Sequence, residues 1–225
     1  MLAAEFAVKK RIQIQNALDQ GAAERIGEIL RHKTKWMLAF NRGTDSITLN
    51  QEQLAAMGTP GIANLMQECF RGAQGGFQYV YSSYPIVDAI VNRRDIGHPL
   101  HGVLEAINAP AFREFVERVS GIAGLVKADG QATLYSKGNF LTFHNDFDAR
   151  NKRRVAYVLG FTRKWRSDWG GLLEFYDAQG NVDFGLVPRF NVLNLFEVPV
   201  NHAVTYVPPF VPEGRYSITG WFSVA

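Results

Sequence analysis

The pattern of hydrophobic and polar residues changes near residue 125. Before that point apolar residues recur at helical spacing, most clearly in residues 22–31 and 112–119. After that point apolar and polar residues alternate in short runs, which are separated by glycine, asparagine and proline. This change predicts an α+β chain in which the helices come first and short strands follow.

Eight strands are predicted in the second half from the alternation and from the turn residues between the runs. They cover residues 131–136, 140–146, 153–161, 171–177, 182–188, 190–197, 202–208 and 215–224. Short strands at this spacing are typical of a sandwich or of a double-stranded β-helix, the jelly roll. We therefore expect a jelly-roll core in residues 126–225. The helical N-terminal part, residues 1–125, is expected to pack on one of its sheets, within a single domain.

Helical signals dominate the first half of the chain. The predicted helices cover residues 3–18, 22–31, 48–57, 60–70, 88–91, 100–107 and 108–119. Pro60 suits the first turn of a helix, because its missing N–H would have no partner there. The tyrosine-rich stretch 72–85 stays open between a strand that packs on the core and a part of a substrate channel, with Tyr79 or Tyr81 as the contributor.

Composition limits the kinds of protein that this chain can be. The chain has 225 residues, 47% hydrophobic and 20% charged, with a net charge of +3. It has no apolar run long enough to span a membrane, so no membrane partner is expected. Its single cysteine, Cys69, excludes an internal disulfide and favours a reducing, cytoplasmic location. The small positive charge does not indicate direct binding to nucleic acid.

The candidate chemistry lies in the segment FLTFHNDFD, residues 140–148. On a strand, His144 and Asp146 would point to the same face, whereas Leu or Val would pack better there. Alone, the pair is equally consistent with a hydrogen bond on a sheet surface. His202 opens a later strand, and a jelly roll brings distant strands together. Two histidines and one carboxylate form the facial triad that holds non-haem Fe(II), and Arg215, at the start of the last strand, suits bidentate capture of a carboxylate.

Taken in order, these motifs resemble the iron(II)/2-oxoglutarate-dependent dioxygenases. The resemblance is carried by HND at 144–146, by His202 and by GRYSITGWF at 214–222, and it is strongest to the prolyl 4-hydroxylase group and to the ribosomal-protein prolyl hydroxylases. The segment RRVAYVLGFTRKWRSDWGGLLEFYD, residues 153–177, is also similar in its order of parts. The resemblance covers about residues 130–225.

The resemblance implies roles for seven residues. His144, Asp146 and His202 would bind the metal, and Arg215 would pair with the far carboxylate of 2-oxoglutarate. The other cofactor-binding residues that it implies are Tyr135, Thr219 and Trp221, with Trp221 close to the iron. Where relatives often carry a second cosubstrate-binding tyrosine, this chain has Gly160, and the nearby Tyr157 would face away from the pocket.

The resemblance also implies an activity. We expect a dioxygenase that uses Fe(II), 2-oxoglutarate and O₂, with ascorbate as a further candidate cofactor, and that releases succinate and CO₂. Its expected substrate is a prolyl residue in a protein or peptide. Two alternatives remain open: the same chemistry on a free amino acid or small metabolite, and a non-catalytic metal-binding jelly-roll module.

Three further features have a structural and a functional interpretation. His98 and His101 would share a helix face, as a structural pair or as two zinc ligands. The resemblance also implies that Asn139, Phe140 and either Arg153 or Arg154 lie where the family meets its substrate. A basic run forms a solvated loop or a surface that recognises an acidic or RNA-associated partner; it contains Arg150, Lys152, Arg153, Arg154, Arg163, Lys164 and Arg166.

Overall fold

The structure, a computed structural model, describes residues 1–225 and has the predicted α+β architecture with a jelly-roll core. The helices are α1 (Leu2–Lys9), α2 (Gln20–His32), α3 (Gln51–Gly75), α4 (Ile86–Val91), α5 (Pro99–Asn108) and α6 (Pro110–Ser120). The strands are β1 (Arg11–Gln15), β2 (Met37–Arg42), β3 (Asp45–Leu49), β4 (Tyr79–Tyr84), β5 (Leu125–Ala128), β6 (Gln131–Tyr135), β7 (Phe140–His144), β8 (Arg153–Phe161), β9 (Leu173–Tyr176), β10 (Val182–Leu186), β11 (Phe190–Glu197), β12 (His202–Val204) and β13 (Arg215–Val224).

The strands form one curled antiparallel sheet. Its order is β1-β11-β8-β13-β6-β4-β7-β12-β9-β10, with β2, β3 and β5 attached beside this path. Strands far apart in sequence thereby become neighbours: β13 lies between β8 and β6, and β12 lies between β7 and β9. This topology is what brings residues near 144 and near 202 together.

Strand β8 shows why the core strands are so apolar. Its residues 155–161 are all buried, because both faces of the strand are covered. Val155, Tyr157 and Leu159 face the helices, whereas Ala156 and Val158 face the inside of the jelly roll. A strand that is buried on both faces loses the alternation of a half-exposed strand and becomes continuously hydrophobic.

Most of the N-terminal helices pack on one face of the sheet, as expected. Residues from α1, α2, α4, α5 and α6 share a single core with β8, β11 and β13. Helix α3 is the exception, because its buried Leu65 and Cys69 pack against Phe40 of β2, Val80 of β4 and Phe140 of β7. None of the helices combines the length and the apolar content that spanning a membrane requires.

The expectation that residues 1–125 are helical is corrected by four strands in that part. The predicted helix over 3–18 is wrong: α1 ends at Lys9, Lys10 has a left-handed φ of 55°, and β1 then pairs with β11. The helix predicted to start at residue 48 instead begins after Asn50, whose side chain accepts from the N–H of Gln53. Residues 45–49 form strand β3, because pairing with β2 in a hairpin outweighs the local helix propensity there.

The tyrosine-rich stretch 72–85 contains the end of α3 and strand β4. Strand β4 pairs with β2 and, towards the core, with β6 and β7. Strands from both halves of the chain therefore share one sheet. The interpretation of this stretch as a strand that packs on the core is confirmed, and its side chains also reach the cavity described next.

Candidate active site

Two histidines meet at the point where β7 pairs with β12. His144 is the last residue of β7, His202 is the first of β12, and the two are register partners. Their ring centroids lie 4.1 Å apart. One ligand atom each from His144, Asp146 and His202 lies within 4.8 Å of the others. The structure thus brings together the three side chains that the sequence predicts as metal ligands.

Asp146 reaches this cluster by a route that the sequence analysis did not predict. Strand β7 ends at His144, so the alternation of a strand does not extend to residue 146. Asp146 instead has a left-handed φ of 60°. Aspartate is one of the few residues other than glycine that adopts this conformation readily. The turn after the strand, rather than the strand itself, therefore directs the carboxylate to the histidines.

Hydrogen bonds to the backbone orient both imidazoles. Nδ1 of His144 lies 2.8 Å from the carbonyl oxygen of Thr142, and Nδ1 of His202 lies 2.8 Å from that of Val200. A carbonyl oxygen can only accept, so each Nδ1 carries a hydrogen. Nε2 then offers its lone pair to a metal when the ring is neutral, and donates to Asp146 only when the ring is protonated. These Nε2 atoms lie 3.2 and 3.3 Å from the Asp146 carboxylate oxygens. Backbone bonds of this kind fix the tautomer that a metal-binding histidine needs.

Asp146 is held in its ionised form although it is buried. Burial by itself would raise its pKa, but the bonds from His144 and His202 outweigh that effect and hold the pKa well below its usual range. The indole N–H of Trp221 also donates to Asp146, at 2.8 Å. This carboxylate with two oriented imidazoles is a donor set that suits ferrous iron.

Arg215 lies at another part of the same cavity and lacks a charge partner. Its side chain is almost fully buried, with 5% of the residue exposed, and its Nη1 has no hydrogen-bond partner. The guanidinium carbon is 5.1 Å from the ring centroid of Tyr135, and no carboxylate pairs with it. Burial lowers the pKa of this group. A buried, unpaired guanidinium fork is complementary to the carboxylate of an anionic ligand.

A cavity of about 330 Å³ inside the jelly roll joins the two features. The metal-ligand cluster and Arg215 both line it. The further predicted residues that line it are Tyr79, Tyr81, Tyr135, Thr219 and Trp221. The cavity lies at the small end of the range for ligand sites, which suits a compact cosubstrate.

Thr219 lines the cavity with its hydroxyl already engaged. Its Oγ1 donates to the backbone oxygen of Tyr157 at 3.0 Å, so only its acceptor capacity remains for a ligand. Tyr157 itself faces away, as the sequence predicts, with its hydroxyl donating to the backbone oxygen of Asp129.

A pair of buried hydroxyls, which was not among the residues predicted from the sequence, lies near Arg215. Ser217 follows Arg215 by two residues on the same face of β13, and its Oγ lies 2.7 Å from Oγ1 of Thr133 on β6. Both residues are buried and both line the cavity. The period-two pattern that connects residues 215, 219 and 221 also includes residue 217, so the signal was present.

Gly160 leaves no room for a second tyrosine. A Cβ atom at this position would lie 2.6 Å from the backbone oxygen of Arg189 and 3.0 Å from the side chain of Val192. Any larger residue would have to displace the backbone of the segment before β11. The close packing of β8 against its neighbours therefore requires glycine, rather than a tyrosine, at position 160.

The residues of the basic run lie in different environments. Arg153 lines the cavity, with its guanidinium 3.7 Å from the ring centroid of Trp221, and its buried Nε has no partner. Arg154 is exposed and does not line the cavity. Arg163 pairs with Glu24 and Arg166 with Asp168, so these charges are already partnered within the chain.

Other candidate residues have structural roles. Nδ1 of His98 accepts from the N–H of Leu100 and caps α5, while Nε2 of His101 bonds to the hydroxyl of Tyr84. Both histidines therefore make hydrogen bonds within the fold, which favours the structural interpretation of this pair. Asn139 accepts from the N–H of Ser136 in a turn. Phe140 belongs to the core beneath α3, outside the cavity.

Comparison with known proteins connects this geometry to a family. Residues 130–223 match the model of the 2OG-Fe(II) oxygenase superfamily. Mouse prolyl 3-hydroxylase OGFOD1 is 32% identical over 142 residues, which cover 60% of this chain and 25% of that protein. The chain thus matches about a quarter of the length of this curated relative.

Solved prolyl hydroxylases share the fold. A prolyl-4-hydroxylase of Pseudomonas putida aligns over 100% of both chains, with a TM-score of 0.63 and 20% identity. A prolyl hydroxylase of Trichoplax adhaerens, solved with a peptide fragment of the hypoxia inducible factor oxygen degradation domain, aligns over 99% of this chain and 87% of its own. Its TM-score is 0.62 and its identity 17%. At these identities the likeness establishes the fold.

Proposed function

We propose that this chain, whose residues 130–223 match the model of the 2OG-Fe(II) oxygenase superfamily, hydroxylates a prolyl residue of a protein or peptide. The co-products are succinate and CO₂. The single observation that carries the proposal is the sharing of one cavity by a preorganised two-histidine, one-carboxylate cluster and an unpaired buried arginine. A non-catalytic metal-binding module has no need of that arginine.

The residues divide the work between the two parts of the cavity. His144, Asp146 and His202 hold the iron, and their backbone and indole hydrogen bonds keep them in place. Arg215 receives the far carboxylate of 2-oxoglutarate, with Tyr135, Thr133 and Ser217 around it. When bound, the iron supplies the oxidation of an unactivated C–H bond. The chain contributes orientation of the cosubstrate and exclusion of water.

The choice of a prolyl substrate in a protein is supported by the names of the relatives and by the mouth of the cavity. Mouse OGFOD1 is named a prolyl 3-hydroxylase, and the Trichoplax enzyme was solved with a peptide. Phe77 lines the cavity with 51% of its surface exposed, and its ring centroid lies 5.4 Å from that of His144. An exposed aromatic ring beside the metal ligands suits contact with a proline ring.

The cytoplasm is the compartment that we propose, with ascorbate as a candidate reductant for the iron. The support for the compartment is the cysteine content. Cys69 is the only cysteine, it is buried, and burial raises the pKa of its thiol to about 11. A chain with one buried thiol is suited to a reducing environment.

Turnover of 2-oxoglutarate tests the proposal. Purified protein with Fe(II) should form succinate, and mass spectrometry of the host proteome with and without this protein should reveal one added oxygen on specific prolines. The His202→Ala variant should lose both signals, whereas His32→Ala, which changes an exposed histidine on α2, should keep them. Succinate formation that requires a free amino acid and never a peptide would favour the small-molecule alternative. Iron binding without any turnover would contradict the proposal.

A further inference from the structure

Strand β3 is an edge strand with one unpaired side. It pairs with β2 and with no other strand. No hydrogen bond outside the strand ladders reaches the main chain of Ser46 or Thr48. Edge strands of this kind expose a row of backbone donors and acceptors that another extended chain can pair with.

The hairpin register identifies which groups are free. Arg42 pairs with Asp45 across a two-residue turn, and the ladder continues through Asn41–Ser46, Phe40–Ile47 and Ala39–Thr48. In such a hairpin the pair next to the turn is hydrogen-bonded, and bonded and non-bonded pairs then alternate. Ser46 and Thr48 therefore direct their N–H and C=O groups away from β2, towards the open side.

Strand β3 also lies beside the cavity. Ser46 lines the cavity, and its Oγ hydrogen-bonds to the hydroxyl of Tyr79. From Tyr79 the aromatic contacts continue through Phe77, at 5.8 Å between ring centroids, to His144 at 5.4 Å. A segment lying along β3 would thus lie beside the cavity, with the rings of Tyr79 and Phe77 between Ser46 and His144.

The usual devices that block an edge strand are absent from β3. Proteins protect such edges with proline, lysine, a bulge or a covering element. The sequence of β3 is Asp-Ser-Ile-Thr-Leu, its register with β2 is regular, and Ser46 and Thr48 are exposed. Ile47 and Leu49 turn their side chains towards the core beneath α3, which leaves a polar, accessible edge.

We infer that β3 is a docking edge to which an extended segment of the protein substrate adds as a further strand beside the cavity. This inference rests on the proposed function and deepens it, because it assigns main-chain recognition to a substrate whose prolyl side chain enters the cavity. Main-chain pairing supplies affinity that does not depend on sequence, and side-chain contacts supply selectivity.

The geometry restricts where the target proline sits. Proline has no N–H, so it must occupy a position whose N–H would point away from β3. Its neighbours on each side then donate to and accept from Ser46 and Thr48. Backbone donors of the substrate should therefore matter at every second residue only.

The test uses synthetic peptides of about 12 residues, which is long enough to pair with a whole strand, with one central proline and randomised flanks. The measured quantities are capture of the pool on immobilised protein and 2-oxoglutarate-dependent oxygen addition by mass spectrometry. Thr48→Pro removes one outward N–H and should lower both by about tenfold, the size expected for the loss of one or two hydrogen bonds. Thr48→Ala keeps that N–H and should stay within about twofold. Neither variant should change succinate formation without peptide.

A second arm uses the wild-type protein and is independent of variant folding. Pools N-methylated at one fixed position each should lose capture at alternate positions around the proline, with a period of two. Uniform losses, or none, would overturn the inference. Equal oxygen addition by wild type and Thr48→Pro would also overturn it and leave the proposed function intact. Capture with the period-two pattern but no oxygen addition would support the docking edge while contradicting the proposed function.

Discussion

The two ends of the cavity satisfy their polar groups in opposite ways. At the metal end, His144 and His202 donate to backbone carbonyls and share the carboxylate of Asp146. At the other end, Arg215 is buried with Nη1 unpaired. The protein itself completes the first end, whereas only a ligand completes the second.

This difference separates two functions of burial. Hydrogen bonds within the chain preorganise the proposed metal ligands, so a metal would meet a site whose geometry is already set. Arg215 instead destabilises the ligand-free protein, because a buried charge without a partner costs free energy. A dicarboxylate that pairs with it should bind tightly and should also stabilise the fold.

The largest effect is expected from Asp146→Ala. Loss of the carboxylate removes one of the three proposed metal ligands. We expect turnover to fall by at least about 100-fold, since even partners outside the ligand set change metal affinity by 10–100-fold. The unfolding temperature should also fall, because the indole N–H of Trp221 loses its acceptor and alanine adopts the left-handed turn less readily than aspartate. A variant with full turnover would show that the metal is held elsewhere.

Arg215→Met should separate affinity from stability. The Kd for 2-oxoglutarate should rise by about 100-fold, because two charge-assisted hydrogen bonds are lost. In contrast, the ligand-free variant should unfold at an equal or higher temperature than the wild type, since an apolar side chain replaces an unpaired buried charge. Calorimetric titration and thermal unfolding measure the two quantities. A lower unfolding temperature together with equal losses of metal and cosubstrate binding would make Arg215 a structural residue.

Trp221→Phe should weaken the metal end alone. Phenylalanine keeps most of the ring but cannot donate to Asp146, so metal affinity should fall by about tenfold. Trp165→Phe is the matched control, because it removes an indole N–H that bonds the backbone oxygen of Gly170. Metal titration of both variants distinguishes them. Equal metal affinity in Trp221→Phe and wild type would show that the indole N–H does not contribute to metal binding.

The smallest effect concerns Asp129, whose Oδ1 accepts from the backbone N–H of Trp221. Burial raises its pKa above the usual value. A carboxyl with a raised pKa in the folded state stabilises the fold at low pH, and this contribution is lost as the pH rises through that pKa. Asp129→Asn keeps the acceptor without the charge, so its unfolding temperature should exceed that of the wild type by about 2 °C near pH 7. The difference should shrink towards about pH 4, and a constant difference would exclude this cause.

Much of the jelly roll could be predicted from the sequence. Strands β8, β11 and β13 have the predicted bounds, because long apolar or alternating runs between turn residues leave little ambiguity. Strands β1, β2 and β3 of the first half were not predicted, for two physical reasons. Strand β1 follows α1 directly through the left-handed Lys10, and β2 gains its partners only from β3 and β4.

The site was predictable in its members and less so in its geometry. The order of His144, Asp146, His202 and Arg215 identified the residues that the structure places around one cavity. The left-handed turn at Asp146 left no mark in the hydrophobic pattern. Two hydrogen bonds of the site join Asp146 to Trp221 and Ser217 to Thr133. Both depend on the register between strands, which the periodicity of a single strand does not specify.

The most direct test of the central claim is a crystal structure of the protein grown without oxygen, with Mn(II) in place of Fe(II) and with 2-oxoglutarate. We expect the anomalous signal of the metal between His144, Asp146 and His202, and a carboxylate of the cosubstrate paired with Arg215. A metal bound at another position, such as between His98 and His101, would contradict the account. So would 2-oxoglutarate bound outside the cavity while Arg215 stays unpaired.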